Sequence, residues 1–172
     1  MRVYVPATLA MLQRLVADRS LRAVSGTAFA VTPTLRESYA EGDDDELGEV
    51  ALREAALASL RLLAGDQTGP ADERAPELPP RRVVLVADVE QAKPRPDLDD
   101  AVVRLAAPVA IDDVVAAYVD NADAESAVLA AIEVVDEADL GDEDAELTVG
   151  DAQDHDLAWY ATQELPFLLD LL

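Results

Sequence analysis

At 172 residues, with thirty-six acidic side chains against thirteen basic ones and no cysteine, the chain carries a formal charge of −23. That length suits one domain able to bury about two thirds of its unfolded surface without a metal or a cross-link. The missing thiols exclude disulfide frameworks, thiolate zinc sites, iron–sulfur clusters and cysteine nucleophiles, and the charge disfavours DNA, RNA and anionic membranes as partners.

The basic side chains are twelve arginines and the single lysine Lys93, so cations and basic protein surfaces are the attractive partners. The amino terminus enters a strand-like pattern directly, and no apolar run approaches membrane-spanning length. A cytoplasmic, soluble protein is expected.

Val3, Tyr4 and Val5 predict a first strand that stops at Pro6, which suits the first turn of a helix because its missing N–H has no helical partner there. The helix is expected from Pro6 to Asp18, with Leu9, Leu12, Leu15 and Val16 on one face. A weak strand follows near Ala28 to Val31, then a helical turn capped by Thr32 with Pro33 at its first position. The acids Asp43 to Glu46 precede the longest helical pattern, Leu47 to Ala64, where they suit the positive end of the macrodipole. Leucines and Val50 occupy so much of its circumference that the helix must be largely buried or meet a partner. Gly65 is expected to end it.

Asp66 to Pro80 is rich in proline and small residues, with only Leu78 able to anchor it, and predicts a mobile loop at about 66–80 within a single domain of residues 1–172. Arg82 to Val89 is then the central strand, a β-branched run apolar enough to be buried on both faces. Ala101 to Ala107 is a second strand, and the loop of about ten residues before it is compatible with antiparallel pairing of the two. Val114 to Val119 reads as a strand from its β-branched content. A helix from Asp123 places Val128, Ala131, Ile132 and Val135 together, and Asp139 to Asp156 reads as an acidic loop. Leu157 to Tyr160 predicts a last short strand with Leu157 and Trp159 facing the core, and Thr162 a cap for the terminal helix containing Pro166. The order implies an α+β fold, a mostly antiparallel sheet with helices packed on one face; the specific expectation is a ferredoxin-like arrangement with added helices.

No phosphate-binding glycine loop is present, and no serine sits in a nucleophile elbow. Asp142, Asp144 and Glu146 alternate as calcium ligands do, but Leu147 stands where such a loop needs glycine. No cofactor, metal site or catalytic residue is therefore expected. The densest group of chemically capable side chains is Asp154, His155 and Asp156 beside Trp159 and Tyr160. As a binding site, His155 would titrate or hold a cation while the aromatics form a wall. The competing and favoured account makes His155 a loop residue and Trp159 a core anchor.

The segments Met1 to Leu9, Ala30 to Glu37 and Asp154 to Leu165 resemble those of an uncharacterised family of small acidic proteins from actinobacteria. The resemblance spans most of the chain; it implies a bacterial cytoplasmic setting and no particular activity, cofactor or catalytic residue. The leading functional expectation is a non-enzymatic interaction or regulatory protein that contacts another protein, or a second copy of itself, through its acidic surface or the Leu47 to Ala64 helix. The alternative is a hydrolase that uses carboxylates and a divalent ion.

Overall fold

The structure is a computed structural model, and it describes residues 1–39, 41–66 and 78–172. Strand β1 (Arg2–Ala7) leads through Thr8 into helix α1 (Leu9–Asp18), and the Thr8 hydroxyl accepts the Met11 N–H at 3.2 Å. Pro6 does not begin the helix. It lies in β1 opposite Val84, at a point where β1 has a ladder partner on one side alone, so its missing N–H leaves no bond unmade. After β2 (Ser20–Leu21) and β3 (Thr27–Phe29), Thr32 caps α2 (Pro33–Ser38) by accepting the Leu35 N–H at 3.0 Å. Its own hydroxyl donates to the Asp100 carbonyl.

Helix α3 (Asp44–Asp66) begins where Asp43 accepts the Glu46 N–H at 2.9 Å, and it continues through Gly65 rather than ending there. The expected loop at 66–80 falls largely outside the described residues; Leu78, at its end, packs on the core. β4 (Val83–Asp88) is followed by β5 (Ala92–Pro94), β6 (Val102–Leu105), β7 (Val109–Ala110) and β8 (Val114–Val119). Helix α4 (Glu125–Asp139) buries the four residues its spacing implied. Part of the expected acidic loop is instead helix α5 (Glu143–Gln153), with Asp142 as cap and only Ala145, Val149 and Ala152 buried. β9 (Ala158–Ala161) and α6 (Leu165–Asp170) complete the order. Thr162 does not cap α6; its hydroxyl donates to the Val114 carbonyl at 2.7 Å.

Seven strands form one sheet in the order β5-β6-β3-β1-β4-β8-β9, every neighbouring pair antiparallel, and β2 and β7 form a separate ribbon. The fold is α+β with the expected antiparallel sheet, but β4 and β6 are not neighbours: β1 and β3 lie between them. Both β3 and β4 run against β1, so they are parallel to each other, and α2 and α3 connect them across it. That single split crossover stands in place of the two interleaved ones of a ferredoxin-like sheet.

The helices cover both faces rather than one. Val3, Val5, Val83, Leu85, Ala117 and Val119 pack with Leu9, Leu12 and Leu15 of α1 and Leu165 and Leu168 of α6. The alternate residues Tyr4, Val84 and Tyr118 turn to the other face, towards Leu47, Ala51, Ala55 and Ala56 of α3. Beyond the sheet, Leu60 of α3 joins α4 and α5 in a third apolar cluster. Each fully buried leucine contributes about 1.5–3 kcal/mol through area removed from water. At Gly26, φ is +68° and an added Cβ would come within 2.9 Å of the Leu105 carbonyl, so glycine is required there.

Two buried polar groups lock these layers. The Ser59 hydroxyl on α3 donates to the Ala7 carbonyl at 2.7 Å and accepts the Val83 N–H at 3.0 Å, joining the helix to β1 and β4. Arg82 and Asp120 are 1 % and 0 % exposed. The Arg82 Nε and Nη2 donate to the Asp120 carboxylate at 2.8 Å each, and the Arg82 backbone N–H donates to it at 2.8 Å. Nη1 reaches Gln153 Oε1 and Nη2 the His155 carbonyl, both at 2.8 Å. Removing one partner leaves an uncompensated buried charge, so Asp120→Ala is expected to lower stability by about 3–5 kcal/mol in urea unfolding. A loss below about 1 kcal/mol, the scale of surface changes, would contradict this assignment.

Candidate functional site

Helix α3 packs over β1, β3 and β4 and leaves β8 and β9 less covered on that face. Along this boundary lies an open cleft of about 720 Å³, floored by Tyr4 and Tyr118. A second hollow of about 390 Å³ shares Glu49, Leu52 and Tyr118 with it and runs on to Arg82, Gln153, His155 and Asp156. Gly48 shapes the first: a Cβ there would stand 2.9 Å from the Tyr4 hydroxyl, so a larger residue would have to displace the end of the Tyr4 side chain. Burial pushes the Tyr4 phenol up, neighbouring Tyr118 adds to this, and Arg2 partly offsets it. Tyr4 is thus a neutral hydrogen-bonding group at neutral pH.

The cleft's arginines are already paired. Arg2 forks onto Asp88, Nε to Oδ1 at 3.1 Å and Nη2 to Oδ2 at 3.2 Å, and this bonding holds Asp88 below the usual carboxylate range. Arg36 pairs with Asp44. Among the described residues, no group of three or more histidine, aspartate or glutamate side chains is placed to hold a metal ion. The cleft offers a polar, aromatic-floored surface with both its arginines ion-paired.

The five residues singled out from the sequence do not converge. His155 is half-buried where the chain leaves α5, and it and exposed Asp156 line the second hollow. Asp154 is exposed at the end of α5, its N–H donating to the Gly150 carbonyl at 2.9 Å. Tyr160 is half-buried and packs with the α1 and α6 cluster. Trp159 is opposite Tyr118 in the ladder, hence on the α3 side, and is 57 % exposed. The two aromatics lie on opposite faces and form no common wall.

The expected burial of Trp159 fails because β9 is the last strand of the sheet and α3 does not extend over it; Leu157, on the same side, does find cover in the α3 cluster. Sequence inspection missed Arg82 with Asp120, Gln153, Tyr4, Tyr118 and Gly48. Arg82 and Asp120 stand at the ends of two apolar runs, the one available hint, since buried strand ends tolerate a charge only when it is paired.

A protein-family model, described as a family of unknown function, matches residues 1–169. No curated protein and no solved structure matches the chain. The exposure of Trp159 yields a direct expectation: Trp159→Ala lowers stability by less than about 1 kcal/mol in denaturant unfolding. A loss of about 3–5 kcal/mol, as for a buried aromatic, would return Trp159 to the core.

Proposed function

The chain belongs to DUF6912, a family of unknown function, and from that premise we propose that it is a non-enzymatic interaction or regulatory protein of the cytoplasm that meets a basic protein partner through its acidic surface. The observation that carries this is a charge asymmetry. From Leu105 to Leu172 the chain has eighteen acidic side chains and no lysine or arginine. Large apolar side chains are exposed in the same region, among them Leu140, Leu147, Trp159, Phe167 and Leu171. Exposed apolar groups within a field of one sign suit a partner that is steered by charge and held by contact.

The other contact surface considered, the Leu47 to Ala64 helix, is taken up internally: Leu47, Ala51, Ala55 and Ala56 pack on the sheet and Leu60 against α4 and α5. Its apolar circumference needs no second protein. This leaves the acidic surface to carry the reading. No helix among the described residues is long and apolar enough to cross a membrane. No specific observation favours the carboxylate- and metal-based hydrolase.

Zero-length carbodiimide coupling in host cells, followed by mass spectrometry, tests the proposal because it joins carboxylates to lysines in direct contact. Intermolecular links are expected to concentrate at carboxylates between Leu105 and Leu172 and to end on lysines of a different protein. Links confined to the chain itself, or spread evenly over all its carboxylates, would contradict it.

A further inference from the structure

The seven-stranded sheet has two edges, and they are treated differently. On one, β5 presents exposed Lys93 and then Pro94, a charge and a missing donor of the kind that prevents another strand from adding. On the other, β9 reads Ala158-Trp159-Tyr160-Ala161, with neither charge nor proline. Among the described residues no strand pairs with its outer side. The Ala161 N–H donates to Glu164 Oε2 at 3.3 Å, so it is turned away from β8. By the two-residue alternation of a strand, the Trp159 N–H and C=O point outward as well.

We propose that β9 accepts an extended, arginine- or lysine-bearing segment of a partner protein as an added strand, with Trp159 lying against one of its cationic side chains. This rests on the reading of the chain as an interaction protein and names the surface and the partner's chemistry. Main-chain groups of an open edge are matched by an extended backbone and by little else. The sign of the partner follows from the surroundings: exposed Asp154 and Asp156 precede β9, exposed Glu164 and Asp170 follow it, and no lysine or arginine lies anywhere in the last third of the chain. A second copy would bring the same carboxylates against these, so self-pairing across β9 is disfavoured. The exposed indole is the best aromatic platform for a guanidinium or ammonium group.

The test uses a labelled synthetic peptide of alternating valine and arginine, read by fluorescence anisotropy against the full chain. Two further versions carry backbone N-methyl groups on one or the other set of alternate residues, which removes the donors from one edge of the peptide while leaving its charge. Expected are one-to-one binding that weakens with salt, a loss of about tenfold or more for one N-methylated version, and little change for the other. Trp159→Pro, which deletes the outward N–H on an edge that tolerates proline, should weaken binding more than Trp159→Ala, which keeps it.

Equal binding of both N-methylated peptides would overturn the proposal and leave only a general attraction of acid for base, as would failure of the valine–arginine peptide to bind. The peptide comparison needs no variant of the protein, so it stands even if Trp159→Pro does not fold. Light scattering that shows a dimer in the wild type and a monomer in Trp159→Pro would assign the edge to a second copy instead. If the edge proposal fails while carbodiimide links still gather between Leu105 and Leu172, the broader function stands and only the surface is wrong.

Discussion

The ion pair between Arg82 and Asp120 is the constraint on which the rest of the molecule depends. A charge of each sign is taken almost wholly out of water, at a desolvation cost that only full hydrogen bonding can offset. Here the offset comes from two prongs of the guanidinium and a backbone N–H on one carboxylate, with further bonds from Nη1 to Gln153 and from Nη2 to the His155 carbonyl. Those partners belong to four segments: the start of β4, the end of β8, the end of α5 and the turn before β9. One guanidinium therefore sets where α5 ends, how the chain leaves it and where the edge strand begins.

The pair also joins β4 to β8. Near their other ends β4 and β8 slip by a bulge between Val86 and Ala87, and the ion pair ties the opposite ends of the same two strands. An apolar substitute for the pair could match its free energy. Ser59 makes a similar tie for α3 with one hydroxyl, bonding β1 and β4 at once. The layers are thus apolar in bulk and positioned by a few buried polar bonds.

Much of the fold was legible where the physics is local. The β-branched run of β4, the Thr32 cap with Pro33, the acids at the head of α3 and the four inward residues of α4 each follow from the pattern of a few neighbouring residues. What was not legible is non-local or depends on small residues. α5 buries two alanines and one valine, too little apolar signal to separate a helix from an acidic loop. Pro6 is tolerated in a strand because β1 is half-paired there, a fact about β3 that residues 1–18 do not contain. Strand order has no local signature: a loop of about ten residues is compatible with pairing β4 and β6 but does not reveal that β1 and β3 lie between them, nor that helices cover both faces.

The candidate site divides on the same principle. Alternation places Trp159 and Tyr160 on opposite faces, but which face has cover depends on where α3 ends its path over the sheet, so alternation alone does not decide the burial of Trp159. Asp154, His155 and Asp156 were conspicuous for their chemistry, while the structure uses the backbone of His155 rather than its ring to hold Arg82. The charge asymmetry is visible in the sequence; that the same region, Leu105 to Leu172, carries the edge strand β9 is visible only in the fold.

That β9 and α5 are held to the sheet through Arg82 and Asp120 is tested most directly by site-resolved amide hydrogen exchange of the double substitution Arg82→Met and Asp120→Leu, compared with the wild type. Removing both charges keeps the site filled without stranding either ion, so any local change reports the lost tie and not an unpaired charge. The account predicts faster exchange in the last turn of α5, residues 154–157 and the β8–β9 ladder, with β1, β3 and β6 protected as before. Unchanged protection at β9, or acceleration spread evenly over the whole sheet, would contradict it.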